Sequence, residues 1–154
     1  MLREDLRLQT GKVLLRPMEA GDYHSFLQLA RQDEEMWEYF SSRLSDPDQL
    51  KNWLDSALQE KAAGTRLPLT IIEKVTGCIA GSSSIGNIAW YDKRLEIGWS
   101  WLAPQFRSTG INLHAKFCMM RYAFEEMNFE RVEFKTGVLN TRARKGLEKI
   151  GGVE

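Results

Sequence analysis

The chain has 154 residues, 43% of them apolar and 27% charged, which suits one globular domain with a sizeable core. Its 21 Lys and Arg balance its 21 Asp and Glu, so no global field draws it to nucleic acid or to an anionic membrane. Two cysteines, Cys78 and Cys118, without a CxxC pair or a histidine cluster, exclude a disulfide framework and a zinc site and predict reduced, buried thiols. The charged N-terminus and the lack of a run of about 18 apolar residues predict a soluble cytoplasmic protein.

With no repeat and no linker, residues 1–154 read as a single domain. Val13-Leu14-Leu15-Arg16-Pro17 is a short strand closed by proline, followed by a helix over 22–32 carrying Phe26, Leu27 and Leu29. Asp46-Pro47 is an N-cap with proline at the first helical position. Leu50, Trp53, Leu54, Ala57 and Leu58 then mark an amphipathic helix ending at Ala63-Gly64. Residues 67–73, 78–90 and 94–102 predict three consecutive antiparallel strands. A helix over 111–127, a strand over 131–136 and a helix over 140–150 stopped by Gly151-Gly152 complete the order β-α-α-β-β-β-α-β-α, an α/β (α+β) pattern. The last helix carries Ala143, Leu147 and Ile150 on a side that needs a sheet to cover, which predicts further strands after Glu154 or from another chain.

The stretch 95–112, Leu-Glu-Ile-Gly-Trp-Ser-Trp-Leu-Ala-Pro-Gln-Phe-Arg-Ser-Thr-Gly-Ile-Asn, is a strand, a polar turn with glycine, and a helix start. Helix N-termini present unpaired N–H groups and about half a positive charge, so the turn formed by Arg107, Ser108, Thr109, Gly110, Ile111 and Asn112 can wrap a pyrophosphate. Gly110 allows close approach and Arg107 offers a charged contact. Taken alone, one glycine before a helix is most often an ordinary turn.

This stretch resembles motif A of the GNAT acetyltransferases, whose [QR]-x-x-G-x-[GA] pattern is met at Arg107 and Gly110, with Asn112 departing from the last small residue. Leu95 to Pro104, Gly110-Ile111-Asn112 and Ala115-Lys116 are similar to the branch that contains acetyltransferases of ribosomal-protein N-termini. So are Arg131-Val132-Glu133-Phe134-Lys135-Thr136, Asn140, Arg144 and Leu147-Glu148-Lys149-Ile150-Gly151. Leu14-Leu15-Arg16-Pro17 with Asp22, and Thr76-Gly77-Cys78-Ile79-Ala80-Gly81-Ser82, fit the family's opening strand and second hairpin.

The resemblance implies a mixed, mostly antiparallel sheet flanked by helices, with the family's last two strands absent from these residues. It implies acetyl-coenzyme A as co-substrate, no metal, and an amine acceptor: a protein N-terminal α-amine or a small amine. The coenzyme's pyrophosphate is expected on the 107–112 turn. Its pantetheine is expected along the backbone of 99–102, including Trp101 and Leu102, with Asn140 and Arg144 as further contacts. Acyl transfer needs a proton acceptor, for which Glu96 is the candidate. Strand alternation puts it on one face with Gly98 and Ser100, so carboxylate and hydroxyl are expected to line one groove.

Each of these has a plainer reading. Glu96 is equally a salt-bridged strand residue, Asn140 an ordinary N-cap, and the basic face of Arg142, Arg144, Lys145 and Lys149 simply solvated. The stretch 33–39, with Trp37 and Tyr39, reads either as an acidic, aromatic acceptor rim or as core aromatics beside solvated acids. His24 and His114 read as surface residues. Many relatives carry a tyrosine acid where Leu147 stands, so no general acid is assigned. Direct acetyl transfer in a ternary complex is the leading expectation, and a catalytically silent coenzyme-binding module is the alternative. An uncovered sheet end further predicts a homodimer.

Overall fold

A computed structural model describes residues 3–135 and 140–153. Six strands, β1 (Leu8–Gln9), β2 (Val13–Pro17), β3 (Leu67–Glu73), β4 (Ile79–Ala89), β5 (Arg94–Leu102) and β6 (Arg131–Glu133), form one sheet in that spatial order. Neighbours are antiparallel except β5 and β6, which run parallel. Four α-helices flank it: α1 (Tyr23–Ala30), α2 (Pro47–Ala63), α3 (Ile111–Arg121) and α4 (Thr141–Lys149). This is the mixed, mostly antiparallel architecture expected.

The helices divide between the two faces of the sheet. Trp101, opposite Ser82, packs its indole edge-on to Phe26 of α1 at 5.6 Å, whereas Lys116 of α3 bonds Ser83, whose side chain points the other way. Helix α2 forms as its signals direct: the Asp46 carboxylate accepts the Gln49 N–H, and Gly64 ends the helix at φ +75°. Its Leu50, Leu54 and Ala57 are buried and seat it on the sheet.

Several expectations need correction. The two-residue strand β1 precedes the predicted first strand, and a 3-10 helix, Glu34–Tyr39, follows α1. Helix α3 passes into one π turn, Tyr122–Glu126. The strand predicted over 131–136 pairs only through Glu133, and its last residue, Thr136, lies outside the described residues. Cys118 is buried but Cys78, in the β3–β4 turn, is exposed.

The correction with most consequence is at Trp99, which adopts φ 53°. Ser84 pairs with Gly98 but Ser82 with Trp101, so β5 carries one extra residue there, a β-bulge. A tryptophan in the left-handed region is strained. Its ring is held across Gly86, where a Cβ would come within 2.7 Å of it, and under the Arg66 guanidinium, 4.7 Å from the ring centre. The bulge reverses the alternation of β5 beyond it.

Candidate active site

Strands β5 and β6 share three rungs, Arg94 with Arg131, Leu95 with Val132 and Glu96 with Glu133. Past Glu96 the ladder stops, so the backbone of β5 from Ile97 to Leu102 has no strand on that side among the described residues. A parallel pair that separates after three rungs leaves a cleft edged by unpaired N–H and C=O groups.

Glu96 stands at the fork. Its side chain is only 9% exposed, accepts a bond from the Asn87 amide, and pairs with Lys135 at 3.3 Å. The plainer reading of Glu96 as an ion-paired strand residue is therefore partly met, by the residue two beyond β6. Ser100 is not beside it. The bulge turns Ser100 to the α3 face, where its hydroxyl meets Ser83 Oγ at 2.7 Å and Lys116 Nζ. Carboxylate and hydroxyl thus lie on opposite faces of β5, because one inserted residue inverts every later position.

On the Glu96 face a recess of about 430 Å³ opens between the end of α2 and the β4–β5 hairpin, lined by Glu60, Arg66, Gly86, Asn87, Trp90 and Trp99. Arg66 is buried there, bonded to Glu60 at 2.8 Å and to Ser84 Oγ at 3.0 Å.

The turn after β5 is built as its sequence predicts. Gly110 caps α3 at φ +89°, and the first bond of the helix runs from His114 N–H to Gly110 C=O, so the N–H groups of Ile111, Asn112 and Leu113 precede the ladder. No acid in the first turn offsets the helix's positive end. The Thr109 hydroxyl ties the turn to the Phe106 carbonyl, and Ser108 is exposed at φ 58°. Lys12 joins this site: its Nζ lies 3.3 Å from where a Gly110 Cβ would be. It sits in the β1–β2 hairpin, and β1 is too short to predict, so nothing in the sequence placed it here.

Arg107 is not waiting free. It pairs with Asp33 at 2.9 Å and touches Met36, which joins the turn to the 33–39 segment. The Arg107 guanidinium holds the Asp33 carboxyl below the usual range, partial desolvation opposes it, and Arg142 adds a smaller pull. Of the aromatics in that segment, Trp37 is buried edge-on to Trp101 at 5.2 Å, and Tyr39 is half-exposed. Trp101 and Leu102 are themselves buried, which leaves their backbone to face the cleft. Asn140 accepts the Ala143 N–H at 3.2 Å, the plain N-cap role. Arg144 follows in the first turns of α4, half-buried.

These features fit a long anionic thioester: main-chain donors and Lys12 at one end, an unpaired strand edge in the middle, a carboxylate at the fork. No group of three His, Cys, Asp or Glu among the described residues could hold a metal ion, and no helix there is long and apolar enough to cross a membrane.

The Acetyltransferase (GNAT) domain family matches residues 12–153. A Bacillus subtilis protein, YdaF, named as a candidate ribosomal N-acetyltransferase, is 27% identical over 148 residues, covering 92% of this chain and 78% of its own. Among solved structures, a GCN5-related N-acetyltransferase from Brucella melitensis superposes with a TM-score of 0.87 at 21% identity, covering 97% of this chain and 68% of that one. A candidate ribosomal-protein-serine acetyltransferase from Vibrio cholerae gives 0.84 at 15%, covering 97% and 84%. The family model spans nearly the whole chain and the Bacillus relative's name falls in the branch that the sequence resembles, so the chain belongs to the GNAT acetyltransferase domain family, whose members use acetyl-coenzyme A as co-substrate.

Proposed function

We propose that this chain transfers the acetyl group of acetyl-coenzyme A to a primary amine by direct attack, with Glu96 accepting the amine's proton. The observation that carries the reading is the fork: a buried carboxylate where β5 loses its parallel partner and its backbone becomes available. In this reading the N–H groups of the 107–112 turn, with Lys12 and Arg107, hold the pyrophosphate, Arg107 exchanging Asp33 for phosphate oxygen. The free edge of β5 from Trp99 to Leu102 pairs with the pantetheine amides, and Asn140 and Arg144 approach from α4. The recess beside Glu96 receives the acceptor. A protein α-amine is the acceptor class favoured, since the relatives are named for ribosomal proteins.

Calorimetric titration with acetyl-coenzyme A tests the first half. Saturable binding is expected for the wild type and its loss in Gly110→Pro, since proline cannot adopt φ +89°; a thermal melt verifies that the variant is folded. No binding by folded wild type would end the reading. Turnover with a peptide amine tests the second half. Glu96→Gln is expected to lower kcat by about 100-fold with coenzyme affinity unchanged. Wild-type binding without turnover on any amine would instead support a silent coenzyme-binding module.

A further inference from the structure

Lys116 is a buried cation that the reaction just described does not use. It lies on the sheet side of α3, 5% exposed, and its partners among the described residues are hydroxyls, not a carboxylate. Its Nζ bonds Ser83 Oγ at 3.1 Å and, at still shorter range, Ser100 Oγ; the two hydroxyls also bond each other. Around this polar triangle the layer is apolar, with Ile85, Leu95, Ile97 and Ala115 buried. A methionine or leucine would fill such a slot without desolvating a charge.

The inverted alternation of β5 gives the lysine a place in the chemistry. Glu96 and the acceptor recess lie on one face of β5 and Ser100 with Lys116 on the other, while the strand edge between them has no paired strand past Glu96 among the described residues. We propose that, for a thioester lying along that edge and attacked from the Glu96 face, Lys116 is the proton source for the thiol departing on the Ser100 face, acting through the Ser100 hydroxyl.

The inference rests on the acetyl-transfer reading above. As the C–S bond breaks and its electron pair stays on sulfur, Ser100 gives its hydroxyl proton to sulfur and takes one from the Lys116 ammonium. The amine nitrogen, which has bonded to the carbonyl carbon, gives one proton to Glu96 and leaves as the amide. Once the thiol has left, Glu96 releases one proton to solvent and Lys116 regains one through Ser100, so the cycle balances. Burial brings the Lys116 ammonium down to about 7, close to the pH at which an acid must both hold and give up its proton. The groups facing it from β4 and β5 are the hydroxyls of Ser83 and Ser100. On α3 itself, His114 bonds Thr10, and the Cys118 thiol is pushed up by burial, with a smaller opposing pull from Arg121. Lys135 and Glu96 pair with each other on the far face of β5.

The test compares wild type with Lys116→Met, Lys116→Gln and Ser100→Ala, each shown to be folded by circular dichroism and to bind acetyl-coenzyme A within about twofold of wild type. Wild-type kcat is expected to fall as pH rises through about 7. All three variants should lose that descending limb. At pH 6.5 they should be at least about tenfold slower, a lower bound because a thiol with pKa about 8.5 leaves well unaided. Combining Lys116→Met with Ser100→Ala should add nothing. Without any coenzyme, a lysine ε-carbon resonance titrating near 7 in wild type should vanish in Lys116→Met. Lys116→Gln keeps hydrogen bonds to both serines but carries no transferable ammonium proton. Wild-type rate and pH limb in that variant, or a Lys116 that titrates above 9, would overturn the relay while acetyl transfer stands. A wild type that neither binds nor turns over acetyl-coenzyme A overturns both.

Discussion

Asp22→Asn is expected to destabilise the protein by about 3–5 kcal/mol at pH 7, the usual result of removing one partner from a buried ion pair. At about 2–4 °C per kcal/mol for a chain of this size, that lowers Tm by roughly 10 °C. Asp22 is 3% exposed and collects four donors: the Arg16 guanidinium at 2.7 and 3.0 Å, the Glu19 N–H at 3.0 Å and the Thr70 hydroxyl at 2.7 Å. These tie the end of β2, the entry to α1 and the middle of β3 together. An amide keeps the shape but turns an N–H₂ toward donors and leaves Arg16, itself 17% exposed, with only the exposed Glu19 carboxylate at 3.9 Å as a counter-ion. Burial raises the carboxyl's pKa, but the Arg16, Glu19 and Thr70 bonds outweigh it and hold the group below its ordinary 3.8. A lowered carboxyl stabilises the fold above the unfolded value and ceases to as pH falls through the folded one. The gap between wild type and variant, read from urea unfolding, should therefore be full at pH 7 and shrink below about pH 3.8. A loss under 1 kcal/mol at pH 7 would show the cluster to be dispensable.

The network around Asp22 was half legible. Arg16-Pro17 and Asp22 carry the resemblance to the family's opening strand and helix, but their contact with Thr70, 48 residues on, is tertiary. Helix α2 was legible in full, because Asp46, Pro47 and Gly64 act locally and its apolar residues follow one helical stripe. The 107–112 turn was legible for the same reason: a glycine that must take φ +89° and a helix start are both written within a few residues. Trp99 was not. Nothing local marks a tryptophan for the left-handed region, and what holds it there is Gly86 on one strand and Arg66 just before another. Period-2 reading then placed Ser100 on the wrong face, since one bulge defeats every later position. Lys116 was hidden by its charge. Ala115, Cys118 and Met119 show that its stretch of α3 is buried, yet a lysine reads as solvated unless the serines of β4 and β5 are seen to receive it. A run of three serines, 82–84, in the middle of a strand with an apolar surround was the available clue.

Lys116→Met is expected to act on stability with the opposite sign, raising it by about 3–5 kcal/mol at pH 6. Desolvation lowers the ammonium from 10.5 to about 7, and each unit corresponds to about 1.4 kcal/mol between charged and neutral forms. Below about 7 the lysine is charged both folded and unfolded, so the folded chain carries the whole cost of burying it. Between about 7 and 10.5 the unfolded chain holds a proton that the folded one has released, so wild-type stability from this group rises with pH. By pH 9 roughly 3 kcal/mol of the cost should be relieved, and the advantage of the variant should narrow accordingly. Ser83 and Ser100 remain bonded to each other at 2.7 Å, so removing the amine leaves neither hydroxyl without a partner. Thermal melts of both proteins at pH 6 and pH 9 decide the matter. A variant less stable than wild type at pH 6 would mean that the ammonium is well solvated by its serines and that its titration lies far above 7. The expected result, a chain stabilised by losing a lysine it nonetheless needs for turnover, is the signature of a group held in place for chemistry, because stability alone gives no reason to bury it.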